Sequence, residues 1–184
     1  DVLLRDNVQR LSGSQSGKTI SEIRALNQIL GHSSENLRAG TDVDRALYKQ
    51  AAQIGGGGLG LYDGDVSRML QIAASDRPAA HSFLTGEDMS AVMRSGETYD
   101  PSSSLKDLLN HDWRHGTDGG IKQVLDEIGH DATAENFGAR EMAGNDARIV
   151  AQHIIDNSDD LMSLGHRQPG VLASLENAMS PYAS

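Results

Sequence analysis

Two apolar stripes at helical spacing occupy residues 104–132, and no stretch of the chain alternates with the period of two that a half-buried strand requires. Leu105, Leu108, Leu109 and Trp113 recur at i, i+3, i+4, i+8, while Ile121, Val124, Leu125 and Ile128 recur at i, i+3, i+4, i+7. Between them, Gly116, Thr117, Asp118, Gly119 and Gly120 supply a turn, with Thr117 or Asp118 available to cap the second helix. The expectation is an αα-hairpin held by the chain's single Trp, its structural residues being Leu105, Leu109, Trp113, Gly119, Ile121 and Leu125.

The same period runs through the rest of the chain. Residues 1–11 read as a short helix. Ile20, Ile23, Leu26 and Leu30 give the next, with Thr19 and Glu22 placed as a capping box and Gly31 closing it. Val43, Ala46, Leu47, Ala51 and Ile54 form a third stripe, stopped by the glycine run 55–58 and expected to pass into a flexible loop. Val66, Met69, Leu70 and Ala73 follow, then a helix opened by Asp76 and Pro78, then a short turn with Met89, Val92 and Met93. Residues 95–104 carry Pro101 and read as a loop. The longest helix is expected over 141–157, with Ala147, Val150, Ala151, Ile154 and Ile155 inward and Asp146, Arg148, Gln152 and Asp156 wet. A turn holding Leu161, Met162 and Leu164 and a helix opened by Pro169 finish the chain. The fold class is therefore all-α, with nine to ten short helices in an irregular bundle or array; no 34-residue self-similarity runs through it. Residues 1–184 are expected to form one helical domain, with a flexible break at 55–60 setting an N-terminal segment apart from a core over 65–184. The start at Asp1, without Met, leads us to expect a piece of a longer protein.

Charge and composition narrow the function classes. The net charge of −10 is spread along the chain, which suits a solvated surface and argues against a nucleic-acid partner, since that needs a clustered basic face. No apolar run approaches the roughly 18 residues of a membrane span. The absence of cysteine removes thiol catalysis, disulfides and cysteine-ligated zinc.

Gly17, Lys18 and Thr19 imitate the end of a phosphate-binding loop. However, Ser12 stands where that motif needs its first glycine, and no buried strand precedes it. The glycine run has no basic neighbour with which to hold a phosphate. No cofactor is expected.

The histidines offer the alternative chemistry. His111 and His115 lie four apart, the spacing that places two imidazoles on one helix face for zinc, although Asp112 stands where a metalloprotease has glutamate. The plainer reading puts both histidines beside Trp113 at a helix end, bonding its last carbonyls. The pairs His111–Asp112 and His130–Asp131 also suggest a metal-dependent hydrolase, with His81 and Asp146 or Asp156 recruited from facing helices. No GxSxG element supports serine hydrolysis. His153 reads as a satisfied core or boundary histidine, and the acids Asp156, Asp159 and Asp160 as a helix-junction cap.

The segments DNVQRLSGSQSGKTISEIRALNQ, MLQIAASDRPAAHSFLTGED and DLLNHDWRHGTDGGIKQVLDE, in this order, resemble the "TPR repeat region" helical family of mycobacterial and other actinobacterial proteins. The resemblance covers most of residues 1–160. It implies a large, secreted or cell-envelope-associated protein and supplies no catalytic residues. Taken jointly, these signals predict a non-catalytic helical module acting on an unknown protein partner.

Overall fold

In the computed structural model, residues 18–33, 42–57, 63–114 and 116–183 are described, and among these there is no strand. Nine α-helices follow in order: α1 Lys18–His32, α2 Asp42–Gly56, α3 Asp63–Ala73, α4 Arg77–Thr85, α5 Pro101–Leu109, α6 Gly119–Asp131, α7 Phe137–Asp156, α8 Ser158–Arg167 and α9 Pro169–Met179. Two 3-10 turns, Met89–Val92 and Ser180–Tyr182, complete the described elements. The expected helix over 1–11 lies outside the described residues.

Local signals explain most starts and stops. Asp76 takes the amide of Ala79 and Asp100 that of Ser103, each ahead of a first-turn proline, so α4 and α5 start where the cap and the fixed proline φ coincide. Thus the expected loop over 95–104 is shorter, because Asp100 and Pro101 open a helix inside it. Asn136 takes the amides of Gly138 and Ala139, so α7 begins at Phe137, four residues before the expected start. Thr19 lies within the described span of α1, Lys18–His32.

The aliphatic stripes meet in one core built on α2, α3 and α6. α2 packs on α3, α4 and α5; α6 packs on α3, α7 and α9. Tyr48 stacks on Phe83 with ring centroids 5.0 Å apart, and Tyr99 donates a 2.7 Å hydrogen bond to the Phe83 carbonyl. A Cβ on Gly120 would lie 2.3 Å from the Ser67 carbonyl oxygen, so only glycine lets α6 approach α3 this closely. The Gly120 amide in turn donates to the Ser67 hydroxyl at 3.0 Å. Thr117 and Asp118, the expected caps of α6, are engaged elsewhere. The Thr117 hydroxyl donates to the Arg114 carbonyl, and the Asp118 carboxylate faces Lys122. The cap comes from another helix.

The central hairpin departs from expectation. α5 stops at Leu109, so Trp113 does not continue its stripe; the chain runs on without helical structure through Trp113. Nine residues separate α5 from α6, too many for a tight turn, and the two helices spend their apolar faces on different partners. Leu105, Leu108 and Leu109 are buried where α5 meets α2 and α4, and Ile121, Val124 and Leu125 where α6 meets α3 and α9.

α7 is rotated relative to its expected face. Ala143, Asp146, Ala147, Val150 and His153 point inward, while Ile155 is 70% exposed and Asp146 only 1%. Ile154 and Ile155 are neighbours in sequence, about 100° apart around the helix, so the core cannot take both. Gly55 and Gly56 are the last residues of α2 rather than a loop, and Gly55 is buried.

Candidate functional site

Two polar assemblies lie within the aliphatic interior and join helices distant in sequence, and a third lies at the exposed end of a single helix. The first surrounds His111, just beyond the C-terminus of α5. Its Nε2 lies 2.8 Å from Oδ1 of Asp63, the first residue of α3, and its Nδ1 lies 3.1 Å from the Gly55 carbonyl oxygen at the end of α2. Both partners are acceptors, and between them they engage both ring nitrogens. The second Asp63 oxygen accepts the Arg114 amide at 3.3 Å. Trp113 packs edge-on against the imidazole at 4.5 Å, donates from Nε1 to the Leu108 carbonyl at 3.1 Å, and accepts at its own carbonyl from Gln168 at 3.0 Å. The assembly clamps α2, α3, α5 and the start of α9. It leaves His111 no free ring nitrogen for a metal.

The second assembly is a seam between α4, α6 and α7. Arg77 pairs with Asp131 at the end of α6, and His81 Nδ1 lies 2.6 Å from Oδ1 of Asp146 on α7. Burial pushes the Asp146 carboxyl up from its ordinary pKa, with the nearby His81 charge pulling it back. Burial also drives the Tyr48 phenol up, the Arg77 charge opposing it. Among the described residues, Tyr48 Oη, Arg77 Nη1 and Asp146 Oδ2 are buried without a hydrogen-bond partner.

The third assembly lies at the C-terminal end of α6. His130 Nδ1 is 3.9 Å from Glu127 Oε2 and 3.6 Å from Asp131 Oδ1. Ligand-type atoms of these three residues all fall within 4.8 Å of one another, the one such trio among the described residues. Glu127 and His130 also line an open groove of about 410 Å³ together with Gly119, Lys122, Gln123 and Asp126.

The two His–Asp pairs therefore do not converge on one centre. His111 is committed to Asp63 and Gly55, its neighbour Asp112 is exposed and paired with Arg114 at 3.0 Å, and His115 lies outside the described residues. α5 ends at Leu109, so His111 lies beyond the helix that the zinc-type i, i+4 spacing with His115 presumes. His81 and Asp146, proposed as recruits, do meet, but as partners of each other; Asp156 is exposed and accepts from Gln152. His153 is buried, with Nδ1 3.4 Å from the Ser102 hydroxyl. Sequence reading missed Asp63 and Arg77, whose partners lie 48 and 54 residues away. It also missed Glu127, although its i, i+3, i+4 spacing with His130 and Asp131 was a usable signal.

A family model described as "TPR repeat domain" matches residues 4–127. The match ends within α6, leaving α7, α8 and α9 beyond it. The chain belongs to the TPR repeat domain family. No curated protein and no solved structure matches it.

Proposed function

We propose that this member of the TPR repeat domain family is a non-catalytic protein–protein interaction module of a longer, exported actinobacterial protein. Family membership supports the interaction role, because a TPR repeat domain suggests a helical module of that kind. The observation that supports the reading here is a set of large apolar side chains left exposed on the C-terminal helices. Phe137 at the start of α7, Ile155 near its end and Met162 on α8 are 71%, 70% and 73% exposed. Exposed apolar side chains of this size can anchor a partner where they come together at an interface. No helix among the described residues is long and apolar enough to cross a membrane, which fits a partner met in water. Export and actinobacterial origin rest on the resemblance of the three sequence segments alone.

The reading is tested by chemical cross-linking of the protein in its native host, comparing wild type with Ile155→Glu/Met162→Glu. The double variant keeps every buried contact, so its melting midpoint should stay within a few degrees of wild type. Loss of specific cross-linked partners at unchanged stability supports the module. An identical partner set in both proteins removes this surface from the interaction, and a culture supernatant and cell envelope devoid of the protein remove the export.

A further inference from the structure

We propose that the C-terminal end of α6 binds one divalent transition-metal ion, with Zn²⁺ the best chemical fit, through Glu127, His130 and Asp131. Their i, i+3, i+4 spacing places the three side chains on one face of the last helical turn. The Nδ1 separations of 3.9 and 3.6 Å are too long for hydrogen bonds. They are close to what a tetrahedral ion requires, because metal–ligand bonds of about 2.0–2.2 Å put neighbouring ligand atoms about 3.4 Å apart. The three ligand-type atoms lie within 4.8 Å of one another, and rotation about the side-chain bonds of His130 and Glu127, 79% and 33% exposed, can draw them to that spacing.

Asp131 is already held. Arg77 clamps its Oδ2 and leaves Oδ1 beside the imidazole, the outer-shell arrangement that orients a ligating carboxylate. The carbonyls ending α6 add the negative end of a helix dipole, and Asp126 in the adjoining groove adds a further carboxylate. The Arg77 charge works the other way and lowers the expected affinity. The imidazole decides the ion class: Mg²⁺ and Ca²⁺ prefer all-oxygen shells, whereas one nitrogen with two carboxylates suits Zn²⁺. Three protein ligands leave one tetrahedral position open. The inference stands independently of the interaction-module reading.

Isothermal titration of untagged, chelator-treated protein with Zn²⁺ tests it. A single saturable site is expected, weakened at least about tenfold by His130→Ala and by Glu127→Gln, and unchanged by His166→Ala on α8, with Mg²⁺ failing to compete. The His130 and Glu127 substitutions touch groups that carry none of the core, so circular dichroism should show wild-type helix content. Absence of saturable Zn²⁺ binding, binding retained in His130→Ala, or equal competition by Mg²⁺ overturns the site.

Discussion

At His111 both ring nitrogens are spent, on the Asp63 carboxylate and the Gly55 carbonyl, and the ring lies under Trp113. At His130 the ring stands in solvent with two carboxylates near it but none at hydrogen-bond distance. Each histidine is followed by an aspartate, and each stands near the end of a helix. What separates them is long-range. The end of α2 and the start of α3 close over His111, while nothing among the described elements closes over the Nδ1 edge of His130. A buried imidazole surrounded by acceptors becomes a fastener. An exposed one with two carboxylates beside it stays open to a ligand from solvent.

This contrast can be broken in order of expected effect. Trp113→Ala should have the largest, roughly 3–5 kcal/mol, as for truncating a buried large aromatic. Urea unfolding measures it, and a loss below about 1.5 kcal/mol would mean the His111 assembly does not depend on the indole. Asp63→Ala follows at about 3 kcal/mol, because it leaves the buried His111 Nε2 and the Arg114 amide without their acceptor. A double-mutant cycle with His111→Ala should return a coupling above about 1 kcal/mol, and additive losses would deny the pair.

The His81–Asp146 contact sits between the two extremes and is read through pH. Burial, the largest influence, raises the folded-state pKa of Asp146 above its unfolded value. Its contribution is therefore most favourable below the unfolded pKa of about 3.9 and is lost as pH rises through the folded value. Asp146→Asn removes that dependence and can still accept from His81. Stability of the wild type relative to Asp146→Asn should accordingly fall between about pH 4 and pH 7. Denaturant midpoints at both values test this, and the opposite slope would show that the His81 charge outweighs burial. The smallest effect belongs to the exposed site: without metal, His130→Ala and Asp112→Asn should each change stability by less than about 0.5 kcal/mol. A loss near that of Asp63→Ala would make His130 a fastener as well.

The helical class was legible because stripes such as Val66, Met69, Leu70 and Ala73 survive intact in the fold, all four buried on one face of α3. The central hairpin was misread because period alone carried Trp113 onto a helix that ends at Leu109, and nothing in the local pattern marks that stop. Ile155 drew the inward face of α7 toward itself by hydropathy, while Asp146 looked wet by the same rule. The seam that takes Asp146 inside is built by α4, whose His81 lies 65 residues away in sequence. Of the candidate site, His130 and Asp131 were visible as a pair. Glu127 was hidden by the more conspicuous histidine at 111, which competed for the same chemistry and had already been consumed by packing.

The cap that Ser67 lends to Gly120 has a kinetic side. Forming the first turn of a helix is the costly step, and a capping side chain on the spot lowers it. α6 carries two glycines at its start and no cap bond from Asp118, so in isolation its first turn is among the least favoured in the chain. Once α3 presents Ser67, the nucleus is supplied from outside and the glycines become the opening that admits it. If α6 condenses on an α3 already formed, Ser67→Ala should slow folding more than it speeds unfolding, as stopped-flow rates would measure.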